Sequence, residues 1–207
     1  MLFRSITTAG VTAWRALVVD GGLRAGDVVL ALGTGGVSVY AAQLAKAVGA
    51  TVVVTSSSDE KLERVRRLGA DHVINYQETD FSKWAVEKYG KPQRRTHEGG
   101  VDVVINFTGG DTWAPTLRCV KRGGKILVCG ATAGYDPKED LRYIWSFELQ
   151  VIGSNSFYDD NLQALMGMIQ ERRLKPVIDK LLPLEKAAEG LRLIETREVF
   201  GKVVVTP

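Results

Sequence analysis

The sequence predicts an α/β fold in which six parallel strands form a doubly wound sheet with helices on both faces. Strand-like and helix-like segments alternate through residues 27–153, as expected for parallel strands joined by right-handed helical crossovers. The predicted strands are continuously apolar, which is typical of strands buried on both faces. A glycine-rich loop lies between the first strand and the first helix of this series.

Each predicted strand is a short apolar or β-branched run. The run Thr-Val-Val-Val-Thr at residues 51–55 is the most strongly β-branched. The six predicted strands comprise residues 27–32, 51–55, 72–75, 101–106, 125–129 and 150–153.

The helices between these strands are predicted from apolar residues that recur every three or four positions. Ser57 and Glu60 form the pattern of a capping box, and Gly69 is expected to end the helix that they open. The predicted helices comprise residues 36–48, 59–68, 80–89, 111–120 and 140–147.

The pattern changes after Gly153. Helices are predicted at residues 161–172 and 184–194, an extended apolar stretch lies at 176–184, and a terminal strand is predicted at 202–206. We therefore divide the chain into residues 1–155, which hold the sheet, and residues 156–207, a tail that needs another surface to pack on.

Composition excludes several classes of protein. The chain has 207 residues, of which 45% are hydrophobic, and its net charge of +3 is not gathered into a basic stripe, so we expect no nucleic-acid partner. No apolar run approaches the roughly 18 residues that span a bilayer, and residues 1–4 do not open a signal peptide, so we expect a cytoplasmic protein. Cys119 and Cys129 lack metal-ligand spacing, and no metal site is predicted.

The most specific motif is Gly-Thr-Gly-Gly-Val-Ser at residues 33–38, because it follows a strand and opens a helix. Gly33 permits a tight turn, and Gly35, having no Cβ, lets the backbone approach a diphosphate. The helix N-terminus offers free N–H groups to the phosphates. A Rossmann-type dinucleotide site is predicted here, with Gly33, Gly35, Gly36 and Val37 as binding residues.

The end of the second strand indicates which dinucleotide is bound. NAD enzymes usually place a carboxylate there to hold the ribose 2′-hydroxyl, whereas this strand continues into Ser56 and Ser57. A carboxylate would repel a 2′-phosphate, while hydroxyls and the nearby Lys61 suit it. The sequence therefore favours NADP(H), although the serines could simply cap the following helix, as Ser57 is expected to do.

Several segments, in order along the whole chain, resemble the medium-chain dehydrogenase/reductase superfamily of zinc alcohol dehydrogenases, quinone oxidoreductases and enoyl reductases. The segments that carry the resemblance are Ala9–Trp14, 33–38, 57–62, 68–76, 100–104, 123–125 and 200–204.

The resemblance implies further cofactor contacts. Thr12 is similar to a threonine that packs near the nicotinamide, and Tyr76 resembles the partner of Lys61 beside the 2′-phosphate. The loops after the fourth and fifth strands border the adenosine and nicotinamide halves in the family. Their implied binding residues are Phe107, Thr108, Gly130, Ala131 and Thr132. Tyr76 could instead be a packing aromatic, and Thr132 a turn residue.

The sequence also departs from the zinc-dependent pattern of that family. Thr8 stands where zinc-type members have a cysteine ligand, so no catalytic zinc is expected. Family members begin with a β-rich substrate domain, whereas Met1 falls just before the crossover helix; the resemblance assigns the tail, residues 156–207, to that domain. We accordingly expect the chain alone to turn over substrates negligibly.

The resemblance implies hydride transfer between a nicotinamide and a carbonyl, quinone, enone or alcohol substrate. No acid–base pair is recognisable, and neither His72 nor His97 is expected to be catalytic. Two alternatives remain open: a module that binds NADPH without turnover, and an enoyl-reductase domain of a larger synthase. The family also implies a homodimer formed through the edge strand near Val151.

Overall fold

A six-stranded sheet forms the centre of the molecule. The structure is a computed structural model that describes residues 5–155 and 158–207. The strands of the main sheet are β1 Val28–Ala31, β2 Thr51–Ser56, β3 His72–Asn75, β4 Val101–Ile105, β5 Val120–Val128 and β6 Gln150–Gly153. The helices associated with it are α1 Ala9–Trp14, α2 Gly36–Val48, α3 Asp59–Arg67, α4 Phe81–Tyr89, α5 Trp113–Cys119 and α6 Leu141–Ser146.

The sheet is parallel throughout and has the order β3-β2-β1-β4-β5-β6. Alternate residues of each strand point to opposite faces. In β1, Val29 belongs to a core shared with α1 and α2, whereas Leu30 belongs to a second core shared with α4 and α5. The predicted doubly wound α/β fold is therefore confirmed.

Among the element boundaries that differ from the prediction, two concern α5 and β5. The residues before α5, Gly110–Thr112, form a 3₁₀ turn, so the α-helix begins later than expected. Strand β5 begins at Val120 rather than 125, and its register with β4 shifts between Val101 and Val103. The shift accommodates Gly124, where a Cβ would lie 2.5 Å from a methyl carbon of Val120.

The predicted cap of α3 was also wrong by one residue. The helix starts at Asp59, as predicted, and the extended residue Ser58 is its N-cap. The Ser58 hydroxyl accepts a hydrogen bond from the Lys61 backbone N–H at 3.4 Å. Ser57 is therefore not the cap.

The tail continues from α7 Asp159–Gln170 into a small two-stranded parallel sheet, β7 Ile178–Pro183 and β8 Lys202–Thr206, with α8 Ala187–Glu195 between the strands. Leu165 of α7 and Phe200 are buried in the same core as α1 and α2. The tail thus packs on the helices of the main sheet. The predicted boundary at 155/156 adjoins the two residues outside the described ranges, and the assignment of the tail to a substrate domain stays a prediction.

None of the helices described is long and apolar enough to cross a membrane.

Candidate functional site

The glycine loop after β1 lies at the carboxyl edge of the sheet, where strand order reverses on either side of β1. In open α/β sheets this switch point is where ligands bind. Gly33 has a φ of +86°, which favours glycine. A Cβ on Gly35 would meet no atom within 4 Å, so the backbone there faces open space.

The first turn of α2 has no side-chain cap. Its N-cap residue is Gly35, whereas Ser58, Asp80 and Asp140 cap α3, α4 and α6 with side-chain oxygens. The first N–H groups of a helix have no partner within the helix. The N-terminus of α2 can therefore receive an anion, and no acidic residue lies in its first turn to oppose one.

The tail closes one side of the glycine loop. Gly201 pairs with Gly35 as an isolated parallel bridge, and its N–H donates to the Thr34 carbonyl at 3.1 Å. Gly36 faces the same segment, since a Cβ there would lie 2.6 Å from the Lys202 side chain. The glycine loop is thus supported by a segment far away in sequence.

Hydroxyl groups hold the other side of the loop. The Gly33 N–H donates to Thr55 Oγ1 at 3.1 Å, and the hydroxyls of Thr34 and Ser56 lie 3.4 Å apart. Ser38 donates to the Leu32 carbonyl at 3.0 Å, which ties the start of α2 back to β1. Ser56 is buried, so a carboxylate at this position would have to replace a hydroxyl that is already hydrogen-bonded.

The structure brings Ser56, Lys61 and Tyr76 to the end of β2. The Tyr76 N–H donates to the Ser56 carbonyl at 3.0 Å, and the Tyr76 ring is half exposed. Lys61 Nζ donates to the carbonyl of Arg197. The Lys61 ammonium is therefore positioned by the tail, through Arg197, as well as by α3.

The loops that follow β4 and β5 are joined by backbone hydrogen bonds. Thr132 N–H donates to Phe107 O at 3.3 Å and Ala133 N–H to Thr108 O at 2.7 Å. Gly109 has a φ of +68°, and a Cβ there would lie 2.3 Å from the Gly134 carbonyl oxygen. The predicted residues Phe107, Thr108 and Thr132 therefore belong to one connected rim beside the glycine loop, and Gly130 and Ala131 lie on the same β5 loop.

Asn106, which sequence reasoning missed, organises this rim. It is fully buried, and its Oδ1 accepts from the N–H groups of Thr108 at 3.2 Å and Gly109 at 2.9 Å. Its amide nitrogen donates to Thr116 Oγ1 of α5 at 3.0 Å. A buried polar side chain directly after an apolar strand was the available signal.

The other residues considered in the sequence analysis, Thr12, His72 and His97, lie in different parts of the fold. Thr12 is half-buried on α1, whereas His72 lies at the amino end of β3, far from the glycine loop in the strand direction. Partial burial and the positive charge of Lys88 lower the pKa of His72, whose ring lies 5.4 Å from that of Trp84. His97 Nδ1 lies 3.0 Å from the Arg122 carbonyl, in the loop before β4.

Neither cysteine has the environment of a nucleophile. Burial raises the pKa of each thiol, Cys119 and Cys129, to about 12, which keeps both protonated at neutral pH. Within residues 5–155 and 158–207, no group of three or more potential ligands is arranged to hold a metal ion.

The strand order and the glycine loop at its switch point define the class, a Rossmann-type α/β domain. The zinc-binding dehydrogenase family model matches residues 36–171, and the chain belongs to that family. This membership confirms the resemblance to the medium-chain dehydrogenase/reductase superfamily.

Curated and solved relatives agree with this membership. A zinc-type alcohol dehydrogenase-like protein of Schizosaccharomyces pombe is 35% identical over 98% of this chain and 60% of its own length. The structure of an NAD-dependent alcohol dehydrogenase superposes with a TM-score of 0.88 at 37% identity, covering 98% of this chain and 57% of that one.

A third relative was solved with a nucleotide. A 2-octenoyl-CoA carboxylase reductase in complex with NADP and 2-octenoyl-CoA has a TM-score of 0.84 at 32% identity, covering 95% of this chain and 47% of its own. The chain described here thus spans between about half and three-fifths of these relatives.

Proposed function

We propose that this chain is the NADPH-binding part of an oxidoreductase that transfers hydride between a nicotinamide and a carbonyl, quinone, enone or alcohol substrate. The observation that carries the proposal is the uncapped N-terminus of α2 beside a strand end that lacks a carboxylate. The family and its NADP-bound relative support the same function.

The residues present fit a dinucleotide. The open space at Gly35 and the unpartnered N–H groups of α2 would hold the diphosphate, as charge-assisted hydrogen bonds to anions are among the stronger ones. The rim containing Phe107, Thr108 and Thr132 would border the adenosine and nicotinamide halves, and Thr12 would pack near the nicotinamide.

Selectivity for the 2′-phosphate rests on Ser56, Ser57, Lys61 and Tyr76. The Lys61 ammonium offers a positive charge at the end of β2, and its contact with a backbone carbonyl leaves that charge unneutralised. Asp59, at the start of α3, accepts a hydrogen bond from the Asn75 amide at 2.9 Å. We therefore expect NADPH to be preferred over NADH.

When bound, the nicotinamide supplies the hydride chemistry. This chain's own residues orient the dinucleotide, and no side chain near the glycine loop forms an acid–base pair within the described ranges. The substrate class, and any proton donor, stay proposals for the whole protein. No catalytic zinc is proposed, because Thr8 occupies the position of the family's cysteine ligand.

Calorimetric titration tests the cofactor assignment. We expect NADPH to bind at least about tenfold more tightly than NADH, a difference of roughly 1.4 kcal/mol. Ser56→Asp should reverse the order by repelling the 2′-phosphate, whereas the control Ser56→Ala should keep it. Equal affinities in the unmodified chain, or a preference for NADH, would contradict the assignment.

Two alternative functions need the same binding residues: a module that holds NADPH without turnover, and an enoyl-reductase part of a larger synthase. The solved complex of the related carboxylase reductase with an enoyl-CoA favours testing the latter. Substrate-dependent NADPH oxidation, measured with enoyl-CoA, quinone and aldehyde panels on the whole protein, separates turnover from binding alone.

We also propose a homodimer formed through β6 and a cytoplasmic location. Strand β6 is an edge of the sheet and is more exposed than the opposite edge, β3. An exposed strand edge is a template for pairing with another chain. The location is supported by the unpaired thiols of Cys119 and Cys129, since paired cysteines are typical of oxidising compartments.

A further inference from the structure

A groove of about 1150 Å³ lies on the face of the sheet that carries α4, α5 and α6. Its walls are α4 and α6, Arg118 of α5 contributes to its lining, and the loop at residues 91–98 borders it. It shares no residue with the glycine loop or the rim described above. The proposed cofactor function therefore leaves this groove unexplained.

The lining of the groove is rich in cationic side chains, most of which form no ion pair in the described parts of the chain. Six cationic side chains line it: Lys83, Lys91, Arg94, Arg95, Arg118 and Arg142. Arg142 forms an ion pair with Asp140 at 2.8 Å. The other five form no ion pair with any residue in the described parts of the chain, and the guanidinium of Arg94 lies 5.7 Å from the centre of the Phe147 ring.

The carboxylates of the groove are fewer and mostly occupied. Asp80 caps α4 by accepting from the N–H groups of Ser82 and Lys83, and Asp140 is paired with Arg142. Glu98 accepts from the Thr96 hydroxyl at 3.3 Å. Glu87 is the remaining acid of the lining. Hydrogen bonds leave the carboxylates charged, so the excess of positive charge comes from six cationic side chains against four acids in the lining.

The base of the loop that carries Arg94 and Arg95 is constrained. Gly99 has a φ of +75°, and a Cβ on it would lie 2.2 Å from the Lys91 carbonyl oxygen. The Gly100 N–H donates to the Gly90 carbonyl at 2.9 Å, closing the base of the loop. The closed base thus limits the positions that the loop, and with it Arg94 and Arg95, can take up.

We propose that this groove binds a small molecule that carries a diphosphate, with a nucleoside diphosphate as the favoured form. Several cations on separate elements suit a group with several anionic oxygens, since arginine pairs with phosphate through two hydrogen bonds at once. The half-buried ring of Tyr143 lines the groove and stacks at 5.8 Å on the buried ring of Phe147, so a nucleobase can pack beside Tyr143.

Titration calorimetry with pyrophosphate and with ADP, in the presence of saturating NADPH, tests the proposal. We expect each ligand to bind saturably at one site, and ADP to bind more tightly than pyrophosphate. In the double variant Arg95→Gln/Arg118→Gln, binding should be at least about tenfold weaker than in the unmodified chain, equivalent to roughly 1.4 kcal/mol. Arg67→Gln/Arg173→Gln, which removes two exposed charges elsewhere, is the matched control and should bind like the unmodified chain.

The outcomes separate the groove from the cofactor site. Binding that survives Gly35→Ala but is lost in the groove variant supports the proposal, even if NADPH itself does not bind. Absence of saturable binding, or an equal loss in both double variants, would overturn it. Pyrophosphate binding as tight as ADP would overturn the nucleoside form.

Discussion

At the scale of single residues, Gly35 is a position where the proposed binding function can be tested without changing the stability of the chain. Its φ of −73° is accessible to any residue, and a Cβ would contact nothing within 4 Å. Packing therefore does not require glycine at this position. The space that the missing Cβ leaves open lies at the uncapped end of α2, where a diphosphate would have to approach the backbone.

We predict that Gly35→Ala weakens NADPH binding at least about tenfold, roughly 1.4 kcal/mol, while the melting temperature changes little. The added methyl group meets an approaching phosphate but no protein atom. Gly167→Ala in α7 is the matched control, since a Cβ there also meets nothing within 4 Å. Calorimetry measures the NADPH affinity of both variants, and thermal unfolding measures their stability. An unchanged affinity in Gly35→Ala would argue against diphosphate binding at the glycine loop.

At the scale of elements, strand β6 leaves one row of backbone groups without a neighbouring strand in the described structure. Val151 of this strand is 42% exposed. An apolar edge of this kind favours symmetric pairing with a second copy.

We predict a homodimer at micromolar concentration that Val151→Lys shifts toward monomer, because a lysine on each strand would place like charges beside the pairing edge. Val19→Lys is the control, since Val19 is similarly exposed, at 45%, but lies outside the sheet. Light scattering reports the mass of each variant. A monodisperse monomer for the unmodified chain would refute the pairing, as would an equal shift in both variants.

At the scale of the whole molecule, the tail and the main sheet are joined by polar contacts as well as by the core. Arg64 of α3 pairs with Asp179 of β7 at 2.7 Å, and its guanidinium lies 4.2 Å from the centre of the Phe200 ring. The Gln43 amide of α2 exchanges hydrogen bonds with the backbone of Lys175. These contacts hold the segment that supports the glycine loop.

We predict that Asp179→Ala destabilises the chain by about 1–3 kcal/mol, because it leaves a partly buried guanidinium unpaired. For a chain of this size each kcal/mol lowers the melting temperature by roughly 2–4 °C. Hydrogen exchange should also become faster in the glycine loop. Glu171→Ala, which removes an exposed pair with Arg173, is the control and should cost about 0–1 kcal/mol. Equal melting temperatures for the two variants would contradict the prediction.

The elements of the main sheet could be predicted because local sequence determines them. From apolar runs and glycines, the first and last residues of α2, β3 and β6 were predicted correctly. The docking of the tail could not be predicted, since Gly35 and Gly201 meet only after the chain has folded back over most of its length. At the candidate site, Gly33 was recognisable from its motif. The role of Asn106 depends on its hydrogen bonds to Gly109 and to Thr116 of α5, which form only in the folded chain.

The bridge between Gly35 and Gly201 also has a consequence for the order of events on the ribosome. All six strands of the main sheet are synthesised before Gly201 is. At typical rates of synthesis, the residues between β6 and Gly201 take roughly 2–10 s to be made. During that interval a nascent chain can assemble its sheet but cannot close its glycine loop. A ligand that requires the closed loop therefore discriminates chains that extend past Gly201 from shorter nascent chains.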